Sequence, residues 1–228
     1  MPAKPDDLDG LRWHALVVGV DIDGFIEVRP WPSWPDLPHE IEWEAAARLD
    51  CLYATRNYDA FGCLFGVMNY AGFRPVAADR GLPPDASEQA QQSFRDADAD
   101  AGRLWPTWIG WDEIQQVDWN ESAEHADARL HRYERDNAGQ WILRGKASWS
   151  REALEAQGVS MPQPGTAPNI WPDGSVWTNG DVQFRAERLT RRDAIPDEGN
   201  WHPVWEVMAV LGRLHGDENC RLVVWFNR

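Results

Sequence analysis

The sequence predicts an α+β fold: a single compact domain over 1–228, in which an antiparallel or mixed sheet with hairpins is packed by several helices. An Asn-Gly pair at 179–180 lies between two stretches of alternating apolar and polar residues, which is typical of a β-hairpin. Apolar residues recur at helical spacing in 57–68 and 202–215, and the apolar run 220–226 predicts a buried strand. Strands and helices do not alternate regularly, so this order favours α+β over a doubly wound parallel sheet.

The first elements are predicted from turn signals and apolar runs. The motif DIDG at 21–24 lies between two apolar stretches, so we expect a hairpin whose aspartates serve the turn rather than a metal. The stretch 29–38 is too rich in proline for regular structure. We expect a short helix over 40–48 and a short strand or extended entry over 49–54.

The next helix is predicted to begin after Asn57, a suitable N-cap. Its apolar stripe consists of Phe61, Leu64, Phe65 and Met68. Gly62 and Gly66 lie four residues apart on a neighbouring face, and each costs a helix about 1 kcal/mol relative to alanine. We therefore expect another backbone, or a ligand, to approach the helix closely there.

The middle of the chain is predicted to be largely helical. The irregular loop 74–87 leads into a polar helix that Ser87 caps and that runs to about residue 100. A short helix is expected over 107–119, where Trp108, Trp111 and Ile114 have helical spacing, and an exposed charged helix over 120–137.

The last third combines a strand, two helices and the hairpin. We expect a strand over 139–149, a helix over 150–158 and a loop over 159–174. The final helix is predicted to stop at Gly216.

Charge and cysteine content exclude several classes of function. The count of 22 basic against 37 acidic residues gives a net charge of −15, which disfavours duplex nucleic acid or an anionic membrane as partner. No run approaches the roughly 20 apolar residues of a membrane span. Each of the three cysteines, Cys51, Cys63 and Cys220, lies in an apolar stretch, which favours buried reduced thiols. We therefore expect a cytoplasmic protein without metal or cofactor, and leave homo-oligomerisation open.

Tryptophan and arginine residues indicate a candidate ligand site. The 15 tryptophans often lie beside prolines or turns, where their rings either plug loops onto the core or line a pocket for a planar ligand. Arg56 precedes the glycine-bearing helix and Arg80 follows it, and a guanidinium suits phosphate or carboxylate, with surface ion pairing as the alternative. The predicted binding residues from this pattern are Arg56, Arg80, Trp105, Trp108 and Trp111.

The sequence contains no recognised catalytic motif. It lacks a P-loop, G-x-G-x-x-G, G-x-S-x-G and H-E-x-x-H, and its six histidines are scattered. If the protein is an enzyme, the acid/base candidates are Asp59, His202 and Glu206, the last two being four residues apart.

Four stretches resemble a family of uncharacterised phage and actinobacterial proteins: RNYDAFGCLFGVMNYAG, RGLPPDAS, TWIGWDEI and CRLVVWFN. The family has an N-Y-[DE]-x-F helix, an R-G-L-P loop and a closing R-L-V-x-W-F strand, and the resemblance covers about 50–119 and the last 25 residues. It implies a cytosolic protein, and it directs attention to Asn57, Tyr58, Asp59, Asn69, Arg80 and Gly81. Relatives often carry a His/Ser-rich stretch just before the tryptophan helix, and the equivalent stretch 100–108 of this chain has no histidine. The resemblance also implies that 120–200 is an insertion or elaboration with its own hairpin, which the shorter relatives lack.

Three functions follow as hypotheses. The first is a binding protein with a Trp/Arg-lined pocket for a small anionic, nucleotide-like ligand, in the manner of a phage protein that sequesters a nucleotide immune signal. The second is a hydrolase or transferase acting on a nucleotide-type substrate. The third is a protein-binding or immunity-type module that uses its acidic surface.

Overall fold

The computed structural model describes residues 19–30, 42–101, 104–147 and 171–227. Within these ranges the strands form two antiparallel sheets of four strands each. The first sheet contains β1 (Asp21–Val28), β2 (Glu44–Arg48), β3 (Trp105–Gly110) and β8 (Cys220–Asn227), in the order β2-β1-β8-β3. The second sheet contains β4 (Leu130–Arg135), β5 (Trp141–Ala147), β6 (Val176–Asn179) and β7 (Val182–Arg185), in the order β5-β4-β7-β6.

Five α-helices lie between or beside the strands in the described ranges. They are α1 (Tyr58–Phe65), α2 (Glu88–Ala101), α3 (Trp111–Gln115), α4 (Arg191–Ala194) and α5 (His202–His215), with short 3-10 turns at Leu49–Cys51 and Asp217–Asn219. Together with the two antiparallel sheets they confirm the predicted α+β class.

The strand β8 lies in the middle of the first sheet, because it pairs with β1 on one side and β3 on the other. Phe226 faces the main core, where its ring meets Phe61 of α1 edge-on at 5.2 Å and where Met208 of α5 is also buried. Trp225 faces the other side and packs against Phe94 of α2 at 5.8 Å. The first sheet is therefore covered by α1 and α5 on one face and by α2 on the other.

The second sheet has its own small core, formed by Ala126, Leu130, Trp171, Phe184 and Ala186. The indole of Trp171 donates to the carbonyl oxygen of Ala128 at 3.1 Å. Backbone hydrogen bonds from Glu124 to Gly72 and from Ala128 to Tyr70 join this region to the loop after α1. All four of its strands lie in the 120–200 segment.

Several predicted elements are confirmed where the local signal is strongest. The Asn57 side chain caps α1 by accepting from the N–H groups of Asp59 and Ala60, both at 3.1 Å. Ser87 caps α2, and α5 ends at Gly216. The strand β5, the β6–β7 hairpin and β8 also lie in the predicted places.

Two predictions near the start of the described chain are wrong. The expected hairpin at 21–24 lies inside the continuous strand β1, which has a partner on both sides. Gly24 is needed for space instead of a turn, since a Cβ there would lie 2.2 Å from the carbonyl oxygen of Val223. The expected helix over 40–48 contains β2, because pairing with β1 overrides the helix propensity of its alanines. The strand expected after it is a 3-10 turn.

Two further helices and one turn also need correction. Within 107–119 the chain first completes β3 beside β8, and only the five residues of α3 are helical. The expected helix over 120–137 contains β4, which pairs with β5 and β7. In the β6–β7 hairpin Asn179 is still paired in the ladder, so Gly180 and Asp181 form the turn, with Gly180 at φ 57°.

Some predictions concern residues outside the described ranges. These are the helix over 150–158, most of the proline-rich stretch 29–38 and most of the loop 159–174.

The two glycines of the opening helix have different roles. A Cβ on Gly62 would lie 2.8 Å from the Cα of Asn69, which confirms that another backbone approaches the helix there. Gly66 is the C-cap of α1 with φ 76°, and its N–H donates to the carbonyl oxygen of Gly62 at 3.1 Å. The left-handed backbone of Gly66 is the reason for glycine at that position.

Replacing Gly62 with alanine tests this close approach. Helix propensity alone would stabilise the protein by about 1 kcal/mol, but the new methyl group has to displace the backbone of Asn69. We expect Gly62→Ala to lower the free energy of unfolding in urea by about 1–3 kcal/mol.

The control is Gly145→Ala, since nothing lies within 4 Å of a Cβ at that strand position. We expect this change to alter the free energy of unfolding by less than about 0.5 kcal/mol. A Gly62→Ala protein more stable than the wild type would contradict the packing argument.

Candidate functional site

A cleft of about 260 Å³ opens at the C-terminal end of α1. Most of its lining is apolar, with one indole and one carboxylate. The lining residues are Val20, Phe65, Gly66, Val67, Met68, Ala78, Asp79 and Trp105. We call this the α1 cleft.

The backbone of the α1 cleft is unusual. Met68 and Asp79, with φ of 53° and 54°, are the only non-glycine residues at positive φ in the described part of the chain, and both line the cleft. This region costs a side-chain-bearing residue about 1–3 kcal/mol, although aspartate tolerates it better than methionine. Strained residues tend to cluster where a ligand binds, so this coincidence marks the α1 cleft as the candidate site.

The loop after α1 forms one wall because it bonds to the end of the helix. The N–H groups of Val76 and Ala77 donate to the carbonyl oxygens of Cys63 and Leu64 at 3.3 and 2.7 Å. Such bonds satisfy carbonyls that a helix end otherwise leaves without partners. From β3, the hydroxyl of Thr107 donates to the carbonyl oxygen of Ala77 in this loop at 2.5 Å.

The two arginines predicted to bind an anion are both paired with carboxylates. Arg56 contacts Asp21 through Nε and Nη2 at 2.5 and 2.8 Å, and this hydrogen bonding holds the pKa of Asp21 below its usual value. Arg80 contacts both oxygens of Glu113 at 2.7 and 2.8 Å. Burial alone would raise the pKa of Glu113, but the hydrogen bond from Arg80 outweighs it and lowers that pKa. Both guanidinium groups are thus occupied, Arg56 in an exposed ion pair and Arg80 in a half-buried one.

The three predicted indoles point to different surroundings. Trp105 lines the α1 cleft. Trp108 lies under the guanidinium of Arg80, 5.0 Å from the ring centroid. Trp111 packs against Trp205 of α5 at 6.5 Å. The structure therefore brings only Trp105 of the three into the cleft.

The remaining predicted binding residues support the cleft rather than line it. Asn69 accepts from the N–H of Phe73 at 2.9 Å and donates to its carbonyl at 2.8 Å, so both of its polar atoms are occupied. Asn57 caps α1 and donates to the carbonyl of Ala194 at 3.1 Å. The hydroxyl of Tyr58 accepts from the N–H of Val20 at the cleft edge, at 3.2 Å.

Charged side chains meet beside α1 in a second arrangement, which joins the helix to the second sheet. We call it the ionic cluster, and its members are Asp59, Asp127, Arg129, His131, Lys146 and Glu187.

Asp127 is the centre of the ionic cluster, and its side chain is fully buried. Its carboxylate accepts from Arg129 Nη2 at 2.7 Å and lies 3.4 Å from both His131 Nε2 and Lys146 Nζ. Burial alone would raise the pKa of Asp127, but the hydrogen bonds from His131 and Arg129 prevail and hold that pKa far below its usual value. The other ring nitrogen of His131 lies 2.7 Å from the Glu187 carboxylate.

The catalytic candidates do not come together as an acid/base pair. Both carboxylate oxygens of Asp59 are engaged, one by Arg129 and the other by Lys146 at 2.6 Å. His202 and Glu206 form a separate pair 3.4 Å apart on α5, with side chains 50% and 67% exposed. That pair is a surface contact, which carries little energy.

The cysteines offer no activated thiol in the buried regions. Cys63 and Cys220 are buried as predicted, whereas Cys51 is exposed, and all three are free thiols. Burial raises the pKa of Cys63 to about 11 and that of Cys220 to about 12, so both are neutral thiols at physiological pH.

Sequence reasoning missed the residues that define the two arrangements. Ala78 and Asp79 lie in the loop 74–87, in which the sequence indicated Arg80 and Gly81 instead. Aspartate tolerates left-handed backbone, and this was the one signal available for Asp79. Asp127 and Arg129 lie just before β4, and only His131 lies within it. The helix expected over 120–137 therefore gave no indication that these three side chains meet.

Comparison with known proteins gives no further assignment: no protein-family model, curated protein or solved structure matches the chain. The relationship to phage and actinobacterial proteins therefore stays a prediction.

The described ranges contain no group of three or more His, Cys, Asp or Glu side chains placed to hold a metal ion. No helix within those ranges has both the length and the apolar character that crossing a bilayer requires.

Removing the buried carboxylate tests the ionic cluster. Asp127→Ala removes the fully buried carboxylate and leaves Asp59 as the remaining counter-charge of Arg129 and Lys146, so we expect a loss of about 3 kcal/mol in the free energy of unfolding. Asp127→Asn should lose less, because the amide keeps the shape and one acceptor. The control is Asp173→Asn, which breaks an exposed pair with Arg188 and should cost less than about 1 kcal/mol.

The stabilisation from Asp127 should also depend on pH. The pKa of the folded state is lowered from the usual 3.8, so the contribution is present above that value and is lost as the pH falls through the lower folded pKa. The difference in Tm between wild type and Asp127→Asn should be constant above about pH 5 and shrink below about pH 4. A difference that grows on acidification would contradict the assignment.

Proposed function

We propose that this chain is a small-molecule-binding protein and that the α1 cleft is its ligand site. The observation that carries the proposal is the convergence of two left-handed non-glycine residues, Met68 and Asp79, on one cleft that also has an indole, Trp105, in its wall. Backbone strain of this kind persists only where the surrounding structure enforces it, and ligand sites are where such strain is common.

The size and lining of the cleft define the kind of ligand. Ligand pockets typically span about 300–1,000 Å³, so a cleft of about 260 Å³ suits a compact ligand of one or two rings. Phe65, Val67 and Met68 supply apolar walls and Trp105 a flat aromatic one. This lining favours a planar, largely apolar molecule.

Binding without turnover is the activity that this chemistry supports. Asp79 is the one ionisable side chain among the described residues that line the cleft. Acid/base or nucleophilic catalysis needs a reacting group with a second group that activates or orients it. The nucleotide-like ligand stays a prediction, which the ligand screen below tests. Its sequestration and the enzymatic alternative also stay predictions.

A ligand screen combined with a cleft-filling variant tests the proposal. The wild-type protein is incubated with nucleotides, cyclic dinucleotides and neutral or charged aromatic compounds, and tryptophan fluorescence and Tm are measured. A ligand at about 100 times its Kd stabilises the folded state by about 2.7 kcal/mol, which raises Tm by roughly 5–10 °C. We expect at least one compound to produce such a shift.

The variant Ala78→Leu should abolish that shift, because its larger side chain fills the cleft opposite Gly66. The matched control Ala138→Leu, in the exposed turn between β4 and β5, should keep it. A flat response across the panel, or an equal response in both variants, would show that the α1 cleft is not the site.

A further inference from the structure

We propose that the ligand of the α1 cleft is an organic cation, an ammonium or guanidinium group carried on a flat apolar body. This inference rests on the proposed function and names the chemical class that the site takes. Two features of the cleft support it: an exposed carboxylate without an ion pair, Asp79, and an indole in the wall, Trp105.

The carboxylate is that of Asp79. In the described part of the chain it has neither an ion pair nor a hydrogen bond, whereas the carboxylates of Asp21 and Glu113 are each held by an arginine. The adjacent Arg80 does not neutralise Asp79, because its guanidinium is committed to both oxygens of Glu113. The cleft therefore presents one negative charge without a counter-charge in its described lining.

The aromatic wall is compatible with a cation and with the apolar body that carries it. Trp105 lines the cleft, and aromatic rings attract ammonium and guanidinium groups. The net charge of −15 also raises the local concentration of cations around the protein. An anion would meet the same potential with the opposite sign, while Arg56 and Arg80 are already paired.

Three probes that share one aromatic body test the charge preference by calorimetric titration: 2-phenylethylammonium, 2-phenylethanol and 3-phenylpropionate. We expect the ammonium to bind at least about tenfold more tightly than the alcohol, and the carboxylate to bind most weakly. The tighter binding of the ammonium relative to the alcohol should decline as the salt concentration rises from about 50 to 500 mM, because exposed charges are screened.

The variant Asp79→Asn tests the role of the carboxylate, since asparagine also tolerates left-handed backbone and keeps the side-chain shape. It should lower the affinity for the ammonium by about tenfold and leave the affinity for the alcohol unchanged. The control Asp98→Asn removes the same charge from the exposed surface of α2 and should change neither affinity.

The outcomes separate the inference from the proposed function. Equal binding of all three probes, abolished by Ala78→Leu, would overturn the cation preference and support the cleft as a binding site. Tighter binding of the carboxylate, or of a nucleotide from the screen, would overturn the preference in favour of an anion. Probes that fail to bind while a neutral compound binds in the cleft would also overturn it. If no compound binds at millimolar concentration, both the inference and the proposed function are wrong.

Discussion

The buried guanidinium of Arg191 fixes the region on which the candidate site depends. It donates to the carbonyl oxygens of Cys63 at 3.2 Å and Arg74 at 2.6 Å, and pairs with Glu121 at 3.1 Å. These partners come from α1, from the loop after it and from a segment before the second sheet. A buried charge of this kind is stable only when its hydrogen-bonding capacity is satisfied, so the three segments have to meet at one point. The loop that turns back along the end of α1, and hence the cleft, follows from this constraint.

The short helix α1 supports both arrangements described here. Its first turn contributes Asp59 to the ionic cluster, and its last residues form a wall of the α1 cleft. Tyr70 lies between them, since its hydroxyl is 3.9 Å from Met68 Sδ and the guanidinium of Arg129 stacks 4.7 Å from its ring. Ion pairs fix one end of the helix and backbone hydrogen bonds the other. The cleft is therefore preformed, which lowers the conformational-entropy cost of binding a ligand.

The sequence predicts well those elements whose signal is local. The N-cap of α1 at Asn57, the stop of α5 at Gly216 and the buried strand β8 depend on side chains close to the element itself. It predicts poorly the strands that exist because of a distant partner. The alanine-rich β2 and the tryptophan-bearing β3 have apolar spacings that also fit a helix, and pairing within the first sheet decides the outcome.

The candidate site was only partly predictable for the same reason. The sequence indicated that Arg56 and Arg80 matter, but whether a guanidinium meets a ligand or a carboxylate depends on distant residues such as Asp21 and Glu113. Backbone strain at Met68 has no sequence signature either, because that residue fits the apolar stripe of a helix. The ionic cluster was not predictable from a strand pattern either, because Asp127 and Arg129 lie before β4 and meet Asp59 and Lys146 from distant segments.

The position of β8 has a consequence for how the protein forms. β1 and β3 do not touch in the first sheet without β8 between them, and the β1–β8 pairing joins residues almost two hundred positions apart. Closing a loop of that length comes before the contacts that compensate its entropy, which slows folding. Until the strand inserts, the facing edges of β1 and β3 are unpaired and able to recruit other chains. In a newly synthesised molecule the edges of β1 and β3 therefore stay exposed until β8 pairs with both strands. A chaperone that shields those edges would assist folding.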